Sequence, residues 1–469
     1  MRLSFEEIVR AVDGSAVAGA APCGIVEGVG TDSRAVKPGS LFVCIPGETF
    51  DGHDFAVKAI EAGAAALLVS RNPFDAVPPV PLILVEDTVK ALGKLAHCWR
   101  ERLGETRVIG LTGTAGKTTV KELLAQVLSR RGLTAKTHMN LNNQIGLPLS
   151  MLAATGEEAF WVMEAGISHP NDMDELGAIL EPDLALILNV GPGHAAGLGD
   201  RGTAHYKSKL LAHLAPGGTA IISADYPDLA RAVRQELVFF STSGRQVDYR
   251  AAYVVPAGED KGLFRLWLDG VSIDVEAPFR GAFGAENVIA VAAVAHRLGL
   301  GAEEIAAGFA GAALPKQRFA CSRAGDWLVI DDSYNANPLS FSRMLEAAAE
   351  MAGDHADRPL VCVLGEMGEL GSLSEDEHRN LGRLVADIKP RLVCWKGGHL
   401  EEFEDGLHAG RYGGAFCPVT SAEDMFKGLA ACDLGSGGGV ILFKGSRSNK
   451  LETLVSAFTE AQAGEPHAV

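Results

Sequence analysis

Short apolar runs rich in β-branched residues alternate with segments of helical period along most of this 469-residue chain. Arg107-Val108-Ile109-Gly110-Leu111-Thr112 reads as a buried strand. From Lys117 onward Val120, Leu123, Leu124 and Val127 recur at helical spacing, with Lys121 and Glu122 between them and Arg130 just beyond. That predicts a helix directly after the strand. Further strands are expected at "FWVMEAG" (160–166), "LALILNV" (184–190) and "GTAIIS" (218–223). A hairpin is expected over "LFRLWLDGVSIDVEAPF" (263–279), turning at Asp269-Gly270. "ENVIAVAAVAHRLGL" (286–300) is apolar nearly all round and predicts a buried helix.

Before this stretch, 1–86 alternates short helical and strand patterns, ending in "AALLVS" and "PLILVE", and "DTVKALGKLAHCWRERLG" (87–104) has the pattern of a helix. Beyond a linker at Gly311 to Pro315, "WLVIDDS", "PLVCVLG", "RLVCWKG" and "GVILFKG" alternate with helical segments. That is βαβ order, hence a parallel sheet of its own. The fold class is α/β in three domains, with boundaries at 1–86, 87–313 and 314–469.

Composition narrows the function. A formal net charge of −17 argues against wrapping a nucleic-acid backbone. The eight cysteines are scattered without a CxxC pair and read as reduced core residues of a cytosolic protein. The amino-terminal "MRLSFEEIVRAV" lacks the long apolar core of a signal peptide, and no apolar run reaches membrane-spanning length.

The loop between the 107–112 strand and the following helix carries the clearest chemistry. In "TGTAGKTT" (112–119), Gly113 and Gly116 permit close backbone approach. Backbone N–H groups backed by a helix N-terminus bind phosphate. Thr114, Ala115 and Thr119 complete the cradle. Lys117 is placed to reach the outer phosphates, and the Thr118 hydroxyl to bind Mg²⁺. The loop is a variant form, since Leu111 stands where the usual pattern has its first glycine.

Other candidates sit at strand ends, where ligands of open α/β sheets gather. Glu164 ends "AFWVME" and is a candidate second Mg²⁺ ligand, against a capping role. His194 follows Asn189 in a Gly-Pro-Gly loop and reads as a metal ligand or a structural histidine. In "IDDSYNANPLSF", Asn337 would read an adenine edge and Asp332 a ribose or an amine, or both would serve turn and cap chemistry. Lys444, Arg447 and Lys450 close another strand and fit an anionic substrate or a solvated loop. Residues 30–55 fit a pyrophosphate pocket or two glycine-rich turns.

"TGTAGKTT", "MEAG", "NVGPGH", "YKSK", "DDSYNANP", "GEMGELG" and "KGSRSNK" occur in the order found in the Mur ligases, the ATP-dependent amide-forming enzymes of bacterial cell-wall precursor synthesis. "TDSRAVKPGSLFVCIPGETFDGHDF" (31–55) resembles their UDP-sugar-binding domain. "NLNNQIGLPLSML" (140–152), "DDSYNANPLS" and "KGSRS" most resemble the last-acting member. The resemblance implies an N-terminal UDP-substrate domain, a central P-loop ATPase domain with a mostly parallel sheet, and a C-terminal Rossmann-like domain.

It also implies the reaction. ATP phosphorylates the carboxylate of UDP-N-acetylmuramoyl-tripeptide, and the amine of D-alanyl-D-alanine attacks the acyl phosphate. Carried over by position, Lys117 meets the β/γ-phosphates, Thr118 with Glu164 holds one of two Mg²⁺ ions, and His194 matches the second metal ligand. By spacing alone Lys207 in "HYKSKLLAHL" reads as a lysine on the solvated face of a helix, whereas the resemblance matches it to a lysine that becomes carbamylated. Asn287, Arg318, Asp332, Tyr334 and Asn337 surround ATP. Ser33, Arg34, Asn142, Asn143, Lys444 and Arg447 face the substrates, and 365–371 with His378 lines the same cleft. A monomer is expected. The chain departs from the family pattern at Ala115, Ala195-Ala196, Lys209, Glu286 and Gln317. The rival readings are another ligase of the superfamily, acting on a UDP-muramoyl dipeptide or a folate, and a nucleotide switch without ligation.

Overall fold

The computed structural model describes residues 1–17, 24–191, 198, 201–231, 237–353, 358–434 and 438–463. Among them the strands form a five-stranded, a nine-stranded and a six-stranded sheet, with a small amino-terminal pair, Arg2–Ser4 against Ile25–Glu27. The five-stranded sheet holds strands between Ser15–Val17 and Leu82–Leu84.

In the nine-stranded sheet the strand Arg107–Thr112 lies between Phe160–Glu164 and Leu184–Ile187, parallel to both. This order brings the phosphate-loop candidate, Glu164 and Asn189 to one edge, the carboxyl ends of three adjacent strands. The hairpin Gly262–Leu268 and Val271–Ala277 closes one side, antiparallel as expected. Its turn residues Asp269 and Gly270 both have positive φ, at 47° and 90°, which matches the right-handed twist of the paired strands. Thr134–Lys136, Leu237–Ser241 and Tyr249–Pro256 also join the sheet, strands that the apolar pattern did not single out.

The six-stranded sheet places Trp327–Asp332 beside Gly439–Lys444, and Leu360–Gly365 on its far side, all parallel. It is not wholly parallel as the pattern predicts. The edge strand Ala320–Ala324 runs antiparallel to Trp327–Asp332, because only the short turn at Gly325 joins them.

The helix Phe283–Arg297 is buried from Gly284 to Ala295. Its small residues let it lie between the phosphate-loop helix Lys117–Leu128 and the hairpin side of the sheet. One apolar cluster contains Leu123 and Val291 of the central unit with Phe341 and Met344 of the helix Pro338–Gly353, so the central and C-terminal units share a core. A second cluster joins Leu3 and Phe5 to Trp161 and Met163. No described helix is long and apolar enough to cross a membrane.

Candidate active site

The loop after Arg107–Thr112 is pinned by its neighbouring strand. Asn189 Oδ1 accepts from the backbone N–H of Thr114 at 3.0 Å and of Ala115 at 2.9 Å. Gly116 begins the helix at φ +81°, and a Cβ there would stand 2.7 Å from Asn287 Oδ1. Only glycine fits both constraints. Asn287 itself is buried, and that oxygen has no protein partner among the described residues.

Lys117 Nζ donates to the carbonyl of Gly113 at 2.8 Å. Burial pushes its ammonium below the ordinary lysine value, Glu164 and Glu369 pull it back, and Arg318 adds to the depression. Thr118 Oγ1 donates to Glu164 Oε2 at 3.0 Å, and Asn142 Nδ2 to Glu164 Oε1 at 2.8 Å. Two residues expected to share a cation, and one expected at the substrate, thus meet on one carboxylate.

Lys207 is 1% exposed and its Nζ has no hydrogen-bond partner among the described residues. Burial, then the charge of Lys117, holds it well below the ordinary lysine value, against the pull of Glu164. The solvated face that its helical spacing suggests is not what the fold gives it. Lys209, two residues on, does reach a carboxylate, that of Asp174. His194, with Ala195 and Ala196, lies outside the described residues.

The C-terminal sheet supplies the opposite wall of a cleft of about 420 Å³. Arg318 lies over the ring of Tyr334, 4.2 Å from its centre, with Nη2 3.5 Å from Thr118 Oγ1. Asp332 forms a buried ion pair with Lys444 and accepts from the Phe319 backbone. Burial lowers the Lys444 pKa against this pairing. Asn337 caps the helix Pro338–Gly353 through Ser340 N–H at 2.9 Å and donates to Thr114 O at 3.1 Å. Its cap role and its place in the cleft are both realised.

Thr114 to Thr119, Asn142, Asn143, Glu164, Asn287, Arg318, Asp332, Tyr334, Asn337 and Lys444 line this cleft. Gly113 is buried beneath it. Two expectations come out elsewhere. Arg447 points out to Glu452 at 2.9 Å, because the short turn after the Gly439–Lys444 strand carries it past the rim. His378 is fully buried and lies behind the 365–371 loop, where its ring accepts a backbone N–H. Ser33 and Arg34 sit in a surface turn apart from this cleft, with Arg34 held by Asp32 at 2.7 Å.

Motif reading passed over Arg343, Gln144 and Asp172, which also line the cleft. Arg343 Nη2 meets Glu286 Oε2 at 2.7 Å, and Glu286 accepts from Asn189 Nδ2 at 2.8 Å. Nothing in the local sequence marks these residues, since their partners lie far along the chain. No described group of three His, Cys, Asp or Glu side chains could hold a metal alone. Thr118 with Glu164 does fit Mg²⁺, which takes one or two protein oxygens and fills its shell with phosphate and water.

Comparison with known proteins matches the chain to three family descriptions in succession. These are "Mur ligase family, catalytic domain" over 25–100, "Mur ligase middle domain" over 111–295, and "Mur ligase, glutamate ligase domain" over 317–447. The UDP-N-acetylmuramoyl-tripeptide–D-alanyl-D-alanine ligase of Escherichia coli K12 is 36% identical over 445 residues, covering 93% of this chain and 94% of that protein. Its Bacillus subtilis 168 counterpart is 34% identical with the same coverage, 93% and 94%. A crystal structure of MurF from Acinetobacter baumannii superposes with TM-score 0.88 at 31% identity, over 98% of this chain and 99% of that one. MurF from Thermotoga maritima in complex with ADP superposes at 0.78 with 27% identity, over 93% and 98%. The chain belongs to the Mur ligase family.

Proposed function

We propose that this chain is an ATP-dependent, ADP-forming amide ligase that joins D-alanyl-D-alanine to UDP-N-acetylmuramoyl-tripeptide in bacterial peptidoglycan precursor synthesis. The observation that carries it is one cleft in which Lys117, Thr118 and Glu164 of the central sheet face Arg318, Asp332 and Lys444 of the C-terminal one. Phosphoryl transfer between two anions needs cations and fixed positions more than covalent help from the protein.

The tripeptide carboxylate attacks the γ-phosphorus, and ADP leaves. Lys117 stabilises the charge that builds on the transferring group. Asn287, Arg318, Tyr334 and Asn337 hold the nucleotide between the two units. The amine then attacks the acyl carbon, and phosphate leaves with the bonding pair. Thr118 and Glu164 would hold Mg²⁺, which supplies charge neutralisation along the phosphates. Asn142, on a loop tied to Glu164, and Asn143 beside it orient the tripeptide end. Residues 1–86 take the UDP portion, with Ser33 and Arg34 at its edge.

The buried Nζ of Lys207, without a hydrogen-bond partner among the described residues, fits carbamylation. Desolvation favours its neutral amine, whose nitrogen attacks CO₂ and releases a proton. The product is an anion beside Lys117 in place of a competing cation.

Release of ADP measured with each substrate omitted in turn tests the reading. The expected result is ADP formation that requires both UDP-N-acetylmuramoyl-tripeptide and D-alanyl-D-alanine. Equal release without either would make the protein a nucleotide switch, and a requirement for a dipeptide or a folate would reassign it within the superfamily.

A further inference from the structure

The loop after the strand Leu360–Gly365 carries Glu369 into the cleft on the C-terminal wall. Its neighbours are fixed. Met367 and Leu370 are 3% and 1% exposed. The Met367 N–H donates to His378 Nε2 at 2.9 Å, and His378 Nδ1 donates to the Ser374 carbonyl at 2.6 Å. Both contacts require the neutral ring protonated on Nδ1. Glu366 accepts from Gly398 N–H at 2.8 Å through its side chain, and from Ser446 N–H at 3.0 Å through its carbonyl.

Between these anchors Glu369 adopts φ +63°, the left-handed region that side chains other than glycine rarely occupy. Such a conformation costs on the order of 1 kcal/mol and persists where the surroundings fix it. Here it holds an exposed carboxylate close enough to Lys117 for its charge to act on that ammonium.

The other cleft carboxylates are set deeper. Glu164 is bound by Thr118 and Asn142. Asp332 is bound by Lys444. Asp172 accepts from Gln144 and from two backbone N–H groups. All three lie where phosphate or scaffold needs them. The incoming amine arrives as an ammonium at neutral pH. It must approach an acyl phosphate ringed by Lys117, Arg318 and Lys444, which repel it.

We infer that Glu369 is a catalytic residue of the second half-reaction, binding the ammonium of the incoming amine and taking its first proton, which frees the lone pair that then attacks. This rests on the ligase reading above. The amine lone pair forms the C–N bond, the acyl C–O bond breaks, and phosphate leaves with that pair. Of the two protons the nitrogen sheds, the first goes to Glu369 and on to solvent, and the second to the departing phosphate. Taken alone, transfer from an ammonium to a carboxylate is uphill. The free amine it yields is a minor species that attack on the acyl carbon draws off, and the N–H that remains in the adduct is acidic enough to give the second proton to phosphate.

The test compares Glu369→Gln and Glu369→Asp with the unaltered chain in two assays. One is ligation with D-alanyl-D-alanine. The other is hydroxamate formation from UDP-N-acetylmuramoyl-tripeptide, ATP and hydroxylamine, a neutral nucleophile that captures the acyl phosphate without a base. The expected result is a fall in kcat/KM for D-alanyl-D-alanine of about 100-fold or more in Glu369→Gln, the range of general-base contributions. Glu369→Asp recovers part of it, hydroxamate yield stays within about threefold, and the deficit shrinks as pH rises toward the amine's own pKa. A parallel loss in both assays would place Glu369 in phosphoryl transfer and overturn the inference, as would no loss in either. An unaltered chain that forms no hydroxamate with the tripeptide overturns the ligase reading itself, and the inference with it.

Discussion

Glu286 and Arg343 form a buried ion pair between the central and C-terminal units, and removing one partner should cripple ATP use. The side chains are 6% and 15% exposed and 2.7 Å apart. Breaking such a pair costs about 3–5 kcal/mol, because a buried charge is left uncompensated. In Glu286→Ala the guanidinium keeps the Tyr226 hydroxyl at 2.9 Å and some water, so the lower figure applies, about 3 kcal/mol. Asn189 also loses an acceptor while it must still hold Thr114 and Ala115.

That cost falls on the arrangement in which the two units meet, since an opened Arg343 would be hydrated. About 3 kcal/mol corresponds to a population shift of about 150-fold against the closed cleft. Steady-state kinetics with ATP varied should show a kcat/KM lowered by that order in Glu286→Ala and Arg343→Ala alike. The Glu286→Leu/Arg343→Met double variant should recover much of it, because it leaves no orphaned charge. Single variants within about threefold of the unaltered chain, or strictly additive losses, would refute the latch. Thermal unfolding of each variant separates this from global instability.

Lys117→Ala should lower turnover by far more than tenfold, about 1.4 kcal/mol of barrier, with circular dichroism unchanged; a smaller loss measured by ADP release would remove its phosphate role. Lys207→Ala should lose most activity and regain part of it in acetate, whose carboxylate replaces the carbamate; full activity without acetate would sink the modification. The fold holds the His378 pKa below the ordinary histidine value, chiefly by burial. Below about pH 6.5 the unfolded chain therefore takes up a proton that the folded chain refuses, so stability is full above that pH and falls below it. Urea midpoints near pH 7.5 and 5.5 should differ less in His378→Gln than in the unaltered chain, and equal differences would contradict the assignment.

The sequence alone determined what depends on neighbours along the chain. The Arg107–Thr112 strand and Lys117–Leu128 helix follow from local periodicity, and the loop between them from two glycines and a lysine. Asp269-Gly270 predicted its own hairpin because a positive φ at both turn residues is a local property. Strand ends also predicted where Glu164, Asp332 and Lys444 emerge, since parallel sheets collect such residues at one edge.

Only the tertiary structure decided what those residues touch. Lys207 and Lys209 are two positions apart, yet one is buried without a hydrogen-bond partner among the described residues and the other reaches Asp174. Lys121 reads as a solvated helix lysine, but it is fully buried and donates to the carbonyls of Thr137 and Met139, ahead of Asn142. Arg447 shared a motif with Lys444 and turned outward, because a single short turn reversed its direction. The Glu286–Arg343 pair joins residues 57 positions apart, and Asn337 reaches Thr114 across 223. Periodicity records which face of an element is apolar. It carries no record of which distant charge will be desolvated against that face, and burial is what holds the Lys117, Lys207 and Lys444 ammoniums below the ordinary lysine value.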